Sequence, residues 1–443
     1  MKVILKLIEN NRYKEARSRL TQKNVVDVAY FLEEIPRKKS LVVFRILPKD
    51  FGAEVFSYMS REQQKYIAEN ITDKEIQLIL NKLLIDDTVD FLEEMPANFV
   101  KKVLRNTDYN TRKLLNQFLS YPEYSSGSIM TIEYVDLKKE MNVEQALEHV
   151  KMTGIDKETI DTCYVIDNNR RLEGIVPLRR LVLSEHDALV EEIMDRNIIY
   201  THTFEDQEDV ATKFKKYDLI SMPVVDRENR LVGIITIDDI LDIIEEEATE
   251  DFQRMAGIEP TEEEYLKTSI LTLSKHRVTW LLILMISATF TGNIIKQYED
   301  VLQSAVLLAA FIPMLMDTGG NAGSQSSTLV IRGIALGEID IKDTGKIIIK
   351  EFLVGIIVGA VLTLVNFLRL YFLEKVSFLI SVAVCVSLFV TILLAKVVGG
   401  VLPIIAKRFE VDPAIMAGPL ITTIVDAVAL MVYFYIATTL LNL

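Results

Sequence analysis

Two cysteines in 443 residues, Cys163 and Cys385, stand in different regions and lack metal-ligand spacing, which excludes a disulfide framework and a zinc site. The four histidines, His149, His186, His202 and His276, are scattered. With no nucleophile–base pair and no phosphate loop beside them, they give little support to an enzyme. The opening MKVILKLIENNRYKEAR has neither the apolar core nor the cleavage site of a secretory leader, which predicts that the soluble part stays in the cytosol. Net charge is missing from one end. Residues 276–443 hold 11 bases and 11 acids, so the whole formal charge of −14 falls on the first 275 residues. So acidic a soluble region excludes nucleic acid as a partner and disfavours docking on anionic lipid, and it would concentrate divalent cations.

What is present at the neutral end is a series of apolar runs long enough to cross a bilayer. They fall at about 278–295, 301–330, 347–372, 378–406 and 414–441. Arg332, Lys342, Lys346, Lys407 and Arg408 follow the second and fourth runs, which puts those linkers and the N-terminal region inside.

The last run carries a single charge, Asp426. A carboxylate at mid-helix depth costs about 2.5–3.5 kcal/mol even on the lenient insertion scale, so it needs a cation, a partner charge or a watery path. The alternative is a structural carboxylate bonded to Thr422 and Thr423. The second run contains Pro313 and, through Thr328, Asp317, Gly319, Gly320, Asn321, Gly323 and a series of hydroxyl and amide residues. Such a stretch suits close helix contact or the lining of an aqueous path. Gly418-Pro419 lies about two turns before Asp426, where a proline is expected to leave carbonyl oxygens free. One carboxylate with a few carbonyls suits a mostly hydrated Mg2+.

Residues 127–250 contain a repeat. Val165-Ile-Asp-Asn-Asn-Arg-Arg-Leu-Glu-Gly174 returns as Val224-Val-Asp-Arg-Glu-Asn-Arg-Leu-Val-Gly233, and Ser128-Ile129-Met130 and Glu192-Ile193-Met194 open the two copies. The pattern resembles a tandem pair of CBS domains. In that family a Ser/Thr-x-x-Asp after the glycine strand holds a nucleotide ribose; the second copy keeps it as Thr236 and Asp239, while the first has Pro177 and Arg180. The choice is open between an ATP-type nucleotide site at Thr236 and Asp239 and a purely structural pair. Before the repeat, Phe31-Leu-Glu-Glu-Ile-Pro36 recurs as Phe91-Leu-Glu-Glu-Met-Pro96, which predicts an array of short helices. After it, an acidic stretch from Ile244 leads through Pro260 to Lys275 and reads as a connecting helix or as a solvated charged face.

This order, with Pro313–Thr328 and Asp412-Pro413, Gly418-Pro419, Thr422-Thr423 and Asp426, resembles the MgtE family of magnesium channels. The resemblance implies a multidomain membrane protein. Its parts are an all-α superhelical N-terminal domain (1–125), tandem α/β CBS domains (126–188 and 189–243), a connecting helix (244–275) and a five-helix α transmembrane domain (276–443). It implies a homodimer in the plasma membrane, in contact with lipid and with no nucleic acid, conducting Mg2+ between the second and fifth spans. Asp426 would bind hydrated Mg2+, with Asp317, Asn321, Gly418, Thr422 and Thr423 lining the pore. Some members carry asparagine where this chain has Gly418, so that side-chain ligand is absent. The resemblance also implies a cytosolic Mg2+ sensor built from Glu54, Asp86, Asp90, Asp206, Glu208, Asp218, Asp239, Asp242, Glu247, Glu250, Asp251 and Asp412. An ion-coupled carrier of Mg2+, Co2+ or Ni2+ is the competing transport reading, and a membrane-anchored signalling module is another.

Overall fold

The computed structural model describes residues 1–93, 95–261, 265–266 and 268–441. Two compact units emerge, Met1–Ile243 and Ile244–Leu443.

Among the described residues the first unit begins with ten short helices, α1 to α10, between residues 2 and 118. Their starts are written in the sequence. Asn24 accepts from the Val26 N–H at 2.9 Å to cap α3 (Val25–Glu34), and Thr72 with Glu75 forms a capping box on α7 (Asp73–Leu80). The repeated Phe-Leu pairs have one job. Phe31 and Leu32 in α3 and Phe91 and Leu92 in α8 (Ile85–Glu93) are all buried, so each copy supplies the same core face. Pro36 and Pro96 then stand at the N-caps of α4 (Arg37–Ile46) and α9 (Ala97–Asn106), where a missing N–H costs nothing.

The internal repeat folds twice into the same three-stranded sheet. In the first, β1 (Asp136–Leu137) runs parallel to β2 (Thr162–Ile166), which pairs antiparallel with β3 (Leu172–Pro177). Helix α11 (Val143–Thr153) precedes β2 and α12 (Leu178–Leu183) follows β3. After α13 (Val190–Ile193), the second copy repeats the order with β4 (Thr201–His202), α14 (Gln207–Tyr217), β5 (Ser221–Val225) and β6 (Leu231–Thr236). Val165 faces Gly174 as Val224 faces Gly233, so the register repeats with the sequence. The opening segments are exchanged. Met130 packs on Gly233 of the second copy and Met194 on Gly174 of the first, at distances that leave no space for a Cβ. Thr131 and Ile234 bridge reciprocally at 2.8 Å. Each copy therefore completes the other.

Helix α15 (Ile237–Met255) carries the closing turns of the second copy straight into the acidic stretch. It ends at Met255, and the next helix, α16 (Ile270–Gln297), starts well before the expected 278. The connecting helix is therefore shorter than 244–275; Glu262–Glu264 and Lys267 of that stretch lie outside the described residues.

Among the described residues of the second unit, five helical segments are long and apolar enough to cross a membrane: Ile270–Gln297, Val306–Ala335, Ile341–Leu373, Phe378–Arg408 and Pro413–Leu441. The expected second run is divided. A short α17 (Glu299–Ser304) and a 3-10 segment, Val306–Phe311, precede α18 (Ile312–Ala335), so Pro313 sits in the first turn, the position proline tolerates best. Helices α19 (Thr344–Leu368), α20 (Phe378–Arg408) and α21 (Gly418–Leu441) complete the set. The most enclosed is α20, which packs against α18, α19 and α21. Gly399 on α20 abuts the Gly323 carbonyl so closely that any side chain there would collide with main chain. By contrast α16 buries none of its residues in the chain.

Candidate functional site

Asp426 is the ninth residue of α21, roughly 12 Å along the helix. Small residues bring α18 alongside it. A Cβ on Gly320 would meet Thr422 at 3.0 Å, and one on Gly323 would meet Val425 at 3.2 Å and Ile421 at 3.3 Å. This close approach places the Asp317 carboxylate within Coulomb range of Asp426. Asp317 accepts from the Asn321 amide at 3.2 Å. Asp426 is half-buried and makes no hydrogen bond or ion pair with the described residues. Thr422 and Thr423 do not hold it: both hydroxyls donate to the Pro419 carbonyl at 2.9 Å. Pro419 starts the helix instead of interrupting it, and its oxygen is already taken.

At the start of α21, Gly418 has φ +43°, and a Cβ on it would strike the Met255 carbonyl oxygen at the end of α15. A Cβ on Gly257 would likewise strike the Trp280 ring and would meet Pro419 at 3.2 Å. The missing side-chain ligand at Gly418 thus leaves room for a main-chain contact.

Beside that contact lies one acidic cluster. Asp412 accepts from the Ala414 N–H at 2.8 Å and pairs with Arg254, which also pairs with Glu250. Burial, then Asp412, Glu247 and Glu250, push Asp251 up to about 6, while Arg254 opposes them. The expected partners Glu250, Asp251 and Asp412 are brought together, with an unforeseen arginine among them. Arg254 follows Glu250 by four residues, a pairing signal that the sequence did offer.

The second cluster lies wholly within the first unit. Asp86 on α8 is 9% exposed, and its Oδ1 has no hydrogen-bond partner among the described residues; the same holds for Oε2 of Glu158. Burial, then Asp87 and Asp239, raise Asp86 well above the usual carboxylate range. Burial and neighbouring acids also lift Asp87 and Asp239 to about 6 and Glu158 to about 7. Asp90 is raised to about 7 by the surrounding protein, then by Glu93 and Asp87, against Arg61; its side chain still meets solvent, which weakens that rise. Among the described residues no three of these side chains converge closely enough to enclose a bare metal ion. Asp86, Asp90 and Asp239 were expected, whereas Asp87, Glu133, Glu158 and Asp238 were not. Glu158 follows a 3-10 turn, Gly154–Asp156, far from α8 in sequence, and only the fold brings it near.

Of the other expected acids, Asp242 adds to the charge that raises Asp239. Glu54 is exposed on α5 (Lys49–Ser57). Asp206 caps α14 and Asp218 is its left-handed C-cap, with φ +50°, so they mark opposite ends of one helix. Glu208 and Asp242 are exposed. Thr236 donates to Asp239 at 2.7 Å, so the nucleotide pair is bonded to itself.

Three family profiles match the chain: a divalent cation transporter profile, MgtE, over residues 312–436; the MgtE intracellular N domain over 23–124; and a CBS domain over 190–246. The chain is 35% identical to the magnesium transporter MgtE of Thermus thermophilus over 94% of this chain and 93% of that protein. It is 31% identical to the magnesium transporter MgtE of Bacillus subtilis over 99% and 97%. The chain belongs to the MgtE family. A solved structure titled as the cytosolic domain of the Mg2+ channel MgtE in complex with ATP covers 54% of this chain and 98% of its own, at 34% identity and TM-score 0.52. The family consists of transport proteins, not enzymes, and the chain is a multi-pass membrane protein with cytosolic N-terminal and CBS domains. The MgtE profile includes both Asp317 and Asp426, and the N-domain profile includes Asp86, Asp87 and Asp90. The CBS profile covers the second copy; the first is recognised by its identical strand order.

Proposed function

We propose that this MgtE-family protein is a Mg2+-selective channel for uptake across the plasma membrane, and that cytosolic Mg2+ closes it. The observation that carries the reading is Asp426, an intramembrane carboxylate with no hydrogen bond or ion pair to the described residues and with Asp317 as its charged neighbour. Two acids facing one path favour a divalent cation over a monovalent one, and a hydrated Mg2+ needs few protein ligands. A homodimer would set α18 and α21 of each subunit around one pore and double those charges.

Closure follows from the two clusters. Without cations the acids repel one another within each cluster, around Asp86 and around Asp251, and Mg2+ would offset that repulsion. Moving a gate from 1:99 to 99:1 takes about 5.5 kcal/mol of differential binding, which several weak sites can supply together. Here Mg2+ is both cargo and signal. A nucleotide would have to displace the Thr236–Asp239 bond, so ATP is a secondary ligand in this reading.

The test is Mg2+ flux into proteoliposomes with internal Mg2+ varied, comparing the natural chain with Asp426→Ala. Flux should fall to background in the variant and, in the natural chain, decline as internal Mg2+ rises. Full uptake by Asp426→Ala overturns the pore assignment. Flux that depends on a proton or sodium gradient would make the protein a coupled carrier.

A further inference from the structure

Lys396 lies in α20, 4% exposed among apolar residues, yet no carboxylate among the described residues pairs with it directly. Its Nζ donates to three groups of α18, each at 3.4 Å: the Ala322 carbonyl, the Gln325 side-chain oxygen and the Ser326 hydroxyl. Ser326, 1% exposed, donates in turn to Oε2 of Glu351 on α19 at 2.6 Å. One positive and one negative group thus share a single hydroxyl across three membrane helices. Neither charge would be stable alone in so apolar a setting. Gln325 links this network to the path. It follows Asp317 and Asn321 at intervals of four residues, so the three occupy one strip of α18, and all three side chains are exposed.

We propose that Lys396 and Glu351, joined through Ser326, form a compensated charge pair that positions Gln325 and sets the electrostatic potential along that stretch of the path. The proposal rests on the pore reading above. Lys396 holds the Gln325 carbonyl oxygen, which turns the amide N–H groups away from the lysine. The positive charge behind the strip weakens the attraction for a passing cation, and Glu351 cancels most of that effect. The two charges therefore act on the cargo with opposite sign. A purely structural pair would lack that property.

The experiment uses the full-length chain in proteoliposomes without internal Mg2+, with external MgCl2 varied and initial uptake rates fitted for KM and maximum rate. Lys396→Met should lower KM by about three- to tenfold and reduce the maximum rate, because the remaining Glu351 charge retains the ion. Glu351→Gln should raise KM by a similar factor, about three- to tenfold. Combining the two should return KM to within about twofold of the natural value, as balanced charges require. Lys396→Arg, which keeps the charge, should leave KM close to normal and guards against a misfolded methionine variant. KM shifts of the same sign in the two single variants, or no recovery in the double, would overturn the proposal. Thermal stability in detergent separates this failure from failure of the pore reading. If Asp426→Ala transports normally, the path is elsewhere; if the melting temperatures of the Lys396 and Glu351 variants combine additively, the pair itself is refuted.

Discussion

The two acidic clusters differ in one group. Around Asp251 and Asp412 the chain supplies its own cation, Arg254, which pairs with Glu250 and Asp412. Around Asp86 the leading charged influences on Asp86, Asp87, Asp239 and Glu158 are all carboxylates, and two of their oxygens have no hydrogen-bond partner among the described residues. The same residue types thus make two different devices. One is partly neutral before any ion arrives; the other stays under electrostatic load until a proton or a metal ion arrives. On this view the cluster near Asp86 is the more sensitive to Mg2+, and the cluster near Asp412 is the more stable without it.

The largest expected effect on closure is the loss of that sensitivity. Asp86→Asn combined with Asp239→Asn should raise the internal Mg2+ needed for half-closure by about tenfold, equivalent to about 1.4 kcal/mol, in the liposome assay. An unchanged closing curve would remove this cluster from the sensor. Next comes the arginine. Arg254→Gln should lower ion-free stability by about 1 kcal/mol, since both partners are partly exposed, and should make the melting temperature depend more steeply on Mg2+. If Mg2+ stabilises the variant and the natural chain equally, Arg254 does not stand in for an ion.

Acidity gives a third test. The folded-state values of Asp87, Asp239 and Glu158 lie above the unfolded range, so the folded form binds more protons between about pH 4 and pH 7. Ion-free stability should therefore fall as pH rises through that window, by about 2 kcal/mol after allowance for solvent, and flatten above it. Saturating Mg2+ should remove most of the slope; a slope that persists in Mg2+ would mean the ion binds elsewhere. The smallest effect belongs to Glu54→Gln. An exposed acid that belongs to neither cluster should change stability by less than about 0.5 kcal/mol and leave closure within twofold.

Much of this arrangement was legible in the sequence, for identifiable reasons. The two sheets follow from a repeat whose glycines recur in register, and the spans follow from apolar length. Asp86, Asp90 and Asp239 were named through the resemblance to the MgtE family, by the spacing of their acidic pairs. Glu158 was not, because its neighbours come from distant segments and carry no local signal. Gly418-Pro419 was placed inside a span because apolar residues flank it on both sides. Glycine followed by proline is equally a helix start, and the structure puts it there. Lys396 was counted among the charges of the apolar end, but its role depends on Ser326 and Glu351 from two other helices, which no spacing rule connects.

The contact at Gly418 has a consequence of another kind. It joins the end of α15 to the start of α21 through a main-chain oxygen and a residue without a side chain. Such a joint has nothing to protonate, oxidise or phosphorylate, so no cellular modification at these two atoms can adjust it. Its tolerance is set by volume alone, and a single methyl group at 418 would act as a wedge. In the proposed channel, then, the acidic clusters are the chemically tunable part and this contact is the sterically fixed one. The Met255 side chain packs on Ile331, Ala414 and Ala417 and can be exchanged for another apolar group, whereas the hydrogen atom at 418 has no substitute.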